Sequence, residues 1–183
     1  MNRQKSHRST TLKSRFLPAA VILAAVWWLV GPMILDAQQR RGAVEGFGGW
    51  AGFIDDSTKH HGLLGGTARF YLTPRLAFGP EFATMWGPGA DHDHMLTGNL
   101  TVDLRSPATP GTTSRWTPYL VVGGGFFQHR DRFLQGPFTS TEPAFTFGGG
   151  IRAYVTDRVY VAPDVRIGWE LHLRAGAGAG FEF

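Results

Sequence analysis

From Leu173 to Phe183 the odd positions read Leu, Ala, Ala, Ala, Phe, Phe, while the even positions between them read Arg, Gly, Gly, Gly, Glu. A backbone that repeats every two residues is an extended strand, so this pattern separates an apolar face from one that is charged or nearly bare. The stretch before it keeps the same parity. Val159, Val161, Pro163, Val165, Ile167, Trp169 and Leu171 stand opposite Tyr160, Ala162, Asp164, Arg166, Gly168 and Glu170. A helix spreads such a pattern around its whole circumference, so a sheet is the architecture this alternation demands.

The same period runs through much of the chain. Leu64, Gly66, Ala68, Phe70 and Leu72 alternate with Gly65, Thr67, Arg69 and Tyr71, and Leu96, Gly98, Leu100, Val102 and Leu104 alternate with Thr97, Asn99, Thr101, Asp103 and Arg105. Residues 143–155 follow suit, 76–86 and 116–128 fit more loosely, and glycine leaves the faces of 42–53 unassigned. Turn signals cut the chain into eight segments, at 42–53, 62–72, 76–86, 94–105, 116–129, 142–155, 158–168 and 173–183. Each has about the length that a tilted strand needs to cross a bilayer. The last two run together without a Gly or Pro turn between them, and as one strand they would extend about 80 Å at about 3.3 Å per residue. Unbroken parity requires an odd loop between them, placed at Glu170-Leu171-His172.

The connections differ at the two ends. Thr73-Pro74-Arg75 and Thr156-Asp157-Arg158 are tight and share one end with a longer link, "SPATPGTTSR", whereas 54–61, 87–93 and 130–141 lie at the other. Short periplasmic turns and longer external loops give an outer-membrane barrel this asymmetry. A soluble barrel also alternates, but it turns its apolar face inward and its charged face to water. Here the less apolar face carries Gly65, Gly148, Gly150, Gly176, Gly178 and Gly180 among Arg, Asp and Glu, and after the leader the only lysine is Lys59, in a loop. Such a face suits a narrow, crowded lumen. Its predicted charges are Arg69, Arg105, Arg152, Arg166 and Arg174 against Glu81, Asp103, Asp164, Glu170 and Glu182, a balance that points to ion-paired filling. Tyr71, Tyr119, Tyr154 and Tyr160 fall at the periplasmic ends and point inward by parity, as a plug; Trp86 and Trp169 point outward near the upper ends, as girdle residues. Pro80 and Pro163 interrupt strands, for which local bulges are the expected remedy.

The formal charge of +4 does not indicate a nucleic-acid surface. Residues 1–37 hold Arg3, Lys5, Arg8, Lys13 and Arg15 against Asp36 alone, and the rest of the chain balances 13 basic with 13 acidic residues. That leader has a basic stretch, an apolar run from Phe16 to Leu35 and a small residue at its exit, the layout of an export signal cleaved after Ala37; an uncleaved anchor is the alternative. The division is therefore a signal peptide at 1–37 and a barrel domain at 38–183. No cysteine is present, which excludes disulfides and thiolate metal sites.

With its signal sequence, its alternating segments and the stretches "GGTARFYLTPRLAFGPEF" (65–82), "TPYLVVGGG" (117–125) and "VYVAPDVRIGWE" (159–170), the chain resembles small outer-membrane β-barrels of the OmpA/OmpX-like type. The resemblance implies an all-β, eight-stranded, antiparallel up-and-down transmembrane barrel preceded by an N-terminal signal helix. It also implies residence in the outer membrane of a Gram-negative-type bacterium, contact with outer-membrane lipid and lipopolysaccharide, and a monomeric state. The terminal Phe183, with Phe181 two before it, looks like the signal that hands such proteins to the barrel-assembly machinery.

An eight-stranded barrel has room inside only for its own side chains. The expected function is thus a non-enzymatic membrane protein with a plugged lumen, acting in envelope structure or surface interaction through its external loops. The alternatives are a lipid A deacylase or acyltransferase and a narrow channel for small apolar molecules. An enzyme needs a nucleophile and base near the outer leaflet, for which His172 with Glu170, or His129 with Asp131 and Ser140, are the candidates; neither forms a recognisable motif, so no catalytic or cofactor-binding residue is assigned. "GPGADHDHM" (87–95) sets Asp91, His92, Asp93 and His94 side by side. All six histidines after the leader, His60, His61, His92, His94, His129 and His172, fall at the external end, and imidazole with carboxylate suits zinc or copper. Nothing in the sequence brings further ligands to His92 and His94, so the stretch reads as a solvated loop and no metal site is assigned.

Overall fold

The computed structural model describes residues 41–54, 59–89, 91–105, 115–133, 136–169 and 171–183; the proposed signal segment lies outside them. Eight strands follow one another: β1 (Gly42–Phe53), β2 (Lys59–Tyr71), β3 (Leu76–Trp86), β4 (His92–Asp103), β5 (Trp116–Phe133), β6 (Gly136–Tyr154), β7 (Val159–Gly168) and β8 (His172–Glu182). Every neighbour pairs antiparallel, and β1 pairs with β8 from Ala43↔Glu182 to Phe53↔His172, closing an up-and-down barrel. The seam is finished by Phe183, whose carbonyl accepts from the amides of Arg41 and Gly42.

The alternation sorts side chains as the sequence indicates. Leu96, Leu100, Val122, Phe147, Val165 and Ile167 are exposed on the outside, whereas Thr97, Asn99, Thr101 and Asp103 of the same β4 strand are buried inside. An apolar exterior around a polar interior is the reverse of a soluble barrel, and it is the arrangement that lipid requires. Trp86 and Trp169 stand outward near one rim, and Trp50 joins them; Trp116 is outward at the other.

The two tight turns share one device. Thr73 Oγ1 accepts from the amides of Arg75 and Leu76 at 3.2 and 2.9 Å, and Thr156 Oγ1 accepts from those of Arg158 and Val159 at 3.3 and 3.0 Å. A hydroxyl that bonds its own backbone two and three residues on stabilises a turn, so the repeated Thr-x-Arg is a structural signal. The last hairpin has the odd loop that parity required, since Gly168 pairs with His172. It ends one residue earlier than the sequence suggested. Leu171 takes the positive φ of 37°, and His172 already belongs to β8.

Three expectations are corrected. Pro80 and Pro163 cause no bulge: between β2 and β3, and between β6 and β7, pairing lapses opposite each proline and resumes in unchanged register. A missing N–H removes ladder bonds locally, and Thr67 Oγ1 donates to the Pro80 carbonyl at 3.0 Å beside the gap. Arg105 is exposed, because β4 ends at Asp103 and the alternation ends with it. The connection at 130–141 is largely strand: β5 and β6 pair as far as Phe133↔Gly136, so the hairpin continues beyond the last β4 partner, Arg130.

Candidate functional site

Side chains fill the interior in layers. At the end that holds the two Thr-x-Arg turns, Arg69 pairs with Glu45 at 3.1 Å, and Tyr160 donates to Glu45 at 2.9 Å while meeting Arg69. Tyr71 and Tyr154 both donate to Glu182, at 3.1 and 2.6 Å. Arg152, 0 % exposed, pairs with Asp103 at 2.6 Å and lies 4.4 Å from the Tyr119 ring centroid. All four tyrosines therefore point inward and join charged groups, where parity placed them.

The next layer converges on Glu81. Its carboxylate accepts from Arg166 at 2.8 Å, from Asn99 at 3.0 Å and from Arg174, and Arg166 also reaches Asp164 at 2.7 Å. Four of the five predicted lumen arginines are thus inside. Glu45, on the strand whose faces were unreadable, is an added carboxylate; Glu170 lies outside the described residues. The glycines of this face give the charges room. A Cβ on Gly178 would stand 2.6 Å from Glu45 Oε1, and one on Gly180 would run into the Tyr160 phenol.

Above the charges lies an apolar layer of Ala51, Leu63, Ala83, Met85, Met95, Phe127 and Ala144, with Phe47 and Phe53 packed against it. It separates the arginine network from a second polar group at the external rim. There the "DHDH" run is split by the strand period. Gly87 N donates to Asp91 O at 3.0 Å, closing a tight turn, and β4 starts at His92. Asp91 and Asp93 consequently face inward, 5 % and 2 % exposed. His92 is turned outward, its Nδ1 2.6 Å from the Asp91 carbonyl, and His94 stacks on Phe82. The reading of 87–93 as a solvated loop is corrected here, because half of its chemistry is buried.

Two histidines from other strands meet those aspartates. His61 of β2, 2 % exposed, places Nε2 3.1 Å from Asp91 Oδ2 and 3.6 Å from Asp93 Oδ2. His129 of β5 places Nδ1 2.6 Å from Asp93 Oδ1 and 3.8 Å from Asp91 Oδ1. One donor atom each from His61, Asp91 and Asp93 falls within 4.8 Å of the others, the spacing of a group that could hold a metal ion. His172 is buried nearby against Phe53, with Nδ1 on the Trp169 carbonyl. Of the enzyme candidates, Ser140 is the ladder partner of His129, but its hydroxyl donates to Glu142 at 3.2 Å. Among the described side chains, His129 has the Asp93 carboxylate beside it at 2.6 Å; the Asp131 side chain lies outside those described. Sequence reasoning missed His61 as a partner of the aspartates; the inward parity of His61, Asp91, Asp93 and His129 was the available signal.

No protein-family model and no curated protein matches the sequence. Solved structures do match the fold. Neisserial surface protein A is similar with a TM-score of 0.67 at 13 % identity, over 78 % of this chain and 97 % of that one. The N-terminal β-barrel domain of Pseudomonas aeruginosa OprF gives 0.63 at 16 %, over 79 % and 100 %. Ail, the attachment invasion locus protein of Yersinia pestis, gives 0.52 at 11 %, over 79 % and 100 %, in its complex with sucrose octasulfate. The chain has the fold of the small eight-stranded outer-membrane β-barrels.

Proposed function

We propose that the protein is a non-enzymatic barrel of a Gram-negative-type outer membrane, with a plugged lumen, which contributes to envelope structure or surface interaction through its external loops. What supports this reading is that buried side chains meet one another across the interior at three successive levels. Tyrosines and ion pairs occupy the turn end, Glu81 and its arginines the middle, and Met85, Met95 and Phe127 the layer above. Passage of a hydrated solute would require breaking ion pairs in low dielectric, where each stranded charge is expensive. The apolar exterior and the likeness to Neisserial surface protein A, OprF and Ail support the outer membrane as its place. The hairpin of β5 and β6, extended beyond its neighbours, supports an outward-facing role.

Three measurements on refolded protein test the reading. In a planar bilayer the current trace stays flat, and steady unit conductance refutes the plug. Incubation with lipid A leaves its mass unchanged, and loss or gain of an acyl chain refutes the non-enzymatic role. Fractionation of producing cells recovers the chain in the outer membrane with a heat-dependent mobility shift on gels; a soluble chain without that shift refutes the location.

A further inference from the structure

We propose that His61, Asp91 and Asp93 form a binding site for a divalent transition-metal cation of the zinc type at the outer mouth of the barrel, with His129 positioning Asp93. The donor spacing fits. Zinc–nitrogen and zinc–oxygen bonds of about 2.0–2.1 Å in a tetrahedron set neighbouring donors about 3.3 Å apart. The contacts of His61 Nε2 with the two aspartates, at 3.1 and 3.6 Å, bracket that value.

The charge balance points the same way. Glu45, Glu81, Asp103 and Asp164, deeper in the lumen, each have an arginine. Among the described residues, the ion pairs of Asp91 and Asp93 are with histidines alone. Two adjacent buried carboxylates need a compensating positive charge, and a divalent cation supplies it without protonating either histidine. Two buried polar atoms of the cluster, His61 Nδ1 and Asp91 Oδ1, have no hydrogen-bond partner.

Imidazole among the ligands selects zinc and its neighbours over calcium or magnesium, which take oxygen donors. His129 holds Asp93 through the oxygen that does not face His61, the role of an outer-shell partner, and its 27 % side-chain exposure leaves an approach from outside. A bound ion would tie β2, the β3–β4 turn, β4 and β5 together at the rim, above the apolar layer.

The test is titration calorimetry with zinc chloride on untagged, refolded protein freed of chelator. One ion binds per barrel, with a dissociation constant in the micromolar range or below. His61→Ala and the isosteric Asp91→Asn each weaken binding by more than about 100-fold, while His129→Ala weakens it by about 10–100-fold, the range of outer-shell losses. His92→Ala with His94→Ala leaves it unchanged, since both rings face outward. Variants are read after their heat-dependent mobility shift shows a folded barrel, and cobalt titration gives a second readout through the visible absorption of a four-coordinate site, lost in Asp91→Asn. Absence of zinc binding, binding that survives Asp91→Asn and His61→Ala, or binding abolished by the His92/His94 pair overturns the assignment.

Discussion

Glu81 is where the interior bonds converge, and its removal tests whether ion pairing holds the lumen together. Its carboxylate takes Arg166 at 2.8 Å, Asn99 at 3.0 Å, and Arg174. Glu81→Leu keeps similar bulk but removes the acceptor. The two arginines are not left in equal condition, for Arg166 retains Asp164 at 2.7 Å whereas Arg174 loses its one ion pair among the described residues. Removing one partner of a buried pair costs about 3–5 kcal/mol, most of it here from the stranded Arg174. The unsatisfied Asn99 amide adds about 1–3 kcal/mol. Adding Arg174→Met to Glu81→Leu removes the stranded charge, so the double variant regains about 2–3 kcal/mol over the single one. Equilibrium urea unfolding in lipid vesicles, followed by tryptophan fluorescence, measures both. If Glu81→Leu lies within about 1 kcal/mol of the parent, or if the two changes simply add, the ion-paired account of the lumen is wrong.

Two further substitutions test the facing of the strands. Val122 is 50 % exposed on the outside of β5. In vesicles Val122→Arg costs about 2–4 kcal/mol if that face lies at mid-bilayer depth; an unchanged unfolding midpoint would show that the exterior faces water. On β8, Gly178→Val drives a side chain into Glu45, which Arg69 and Tyr160 hold in place. The same unfolding assay should show a loss of about 1–3 kcal/mol from overpacking, while Ala177→Val on the exposed face is close to neutral. Equal effects at both positions would contradict the assigned parity.

Much of this architecture was legible because its rule is local. A period of two can be read from one strand at a time, and it gave the eight strands, the inward glycines, the odd final loop and the inward tyrosines. Where local pattern was weak, reading failed. Glycine-rich β1 hid Glu45, and Arg105 obeyed the parity of a strand that had already ended. The "DHDH" run shows the same limit at the candidate site. Its composition was plain, but its Gly/Pro flank suggested a loop, so the split into inward aspartates and outward histidines went unseen.

By itself, then, the sequence determined that there are eight strands, the faces of those outside glycine-rich β1, and the polarity of the barrel, since each depends on residues two apart. Which interior groups meet was decided by closure of the sheet. Arg69 reaches Glu45 across 24 positions, His61 reaches Asp91 across 30, and Arg174 reaches Glu81 across 93. Such contacts follow from register and stagger around the whole barrel, which no single strand encodes. That is why the sequence shows six histidines at one end of the molecule, and only the closed barrel selects His61 and His129 for the aspartates.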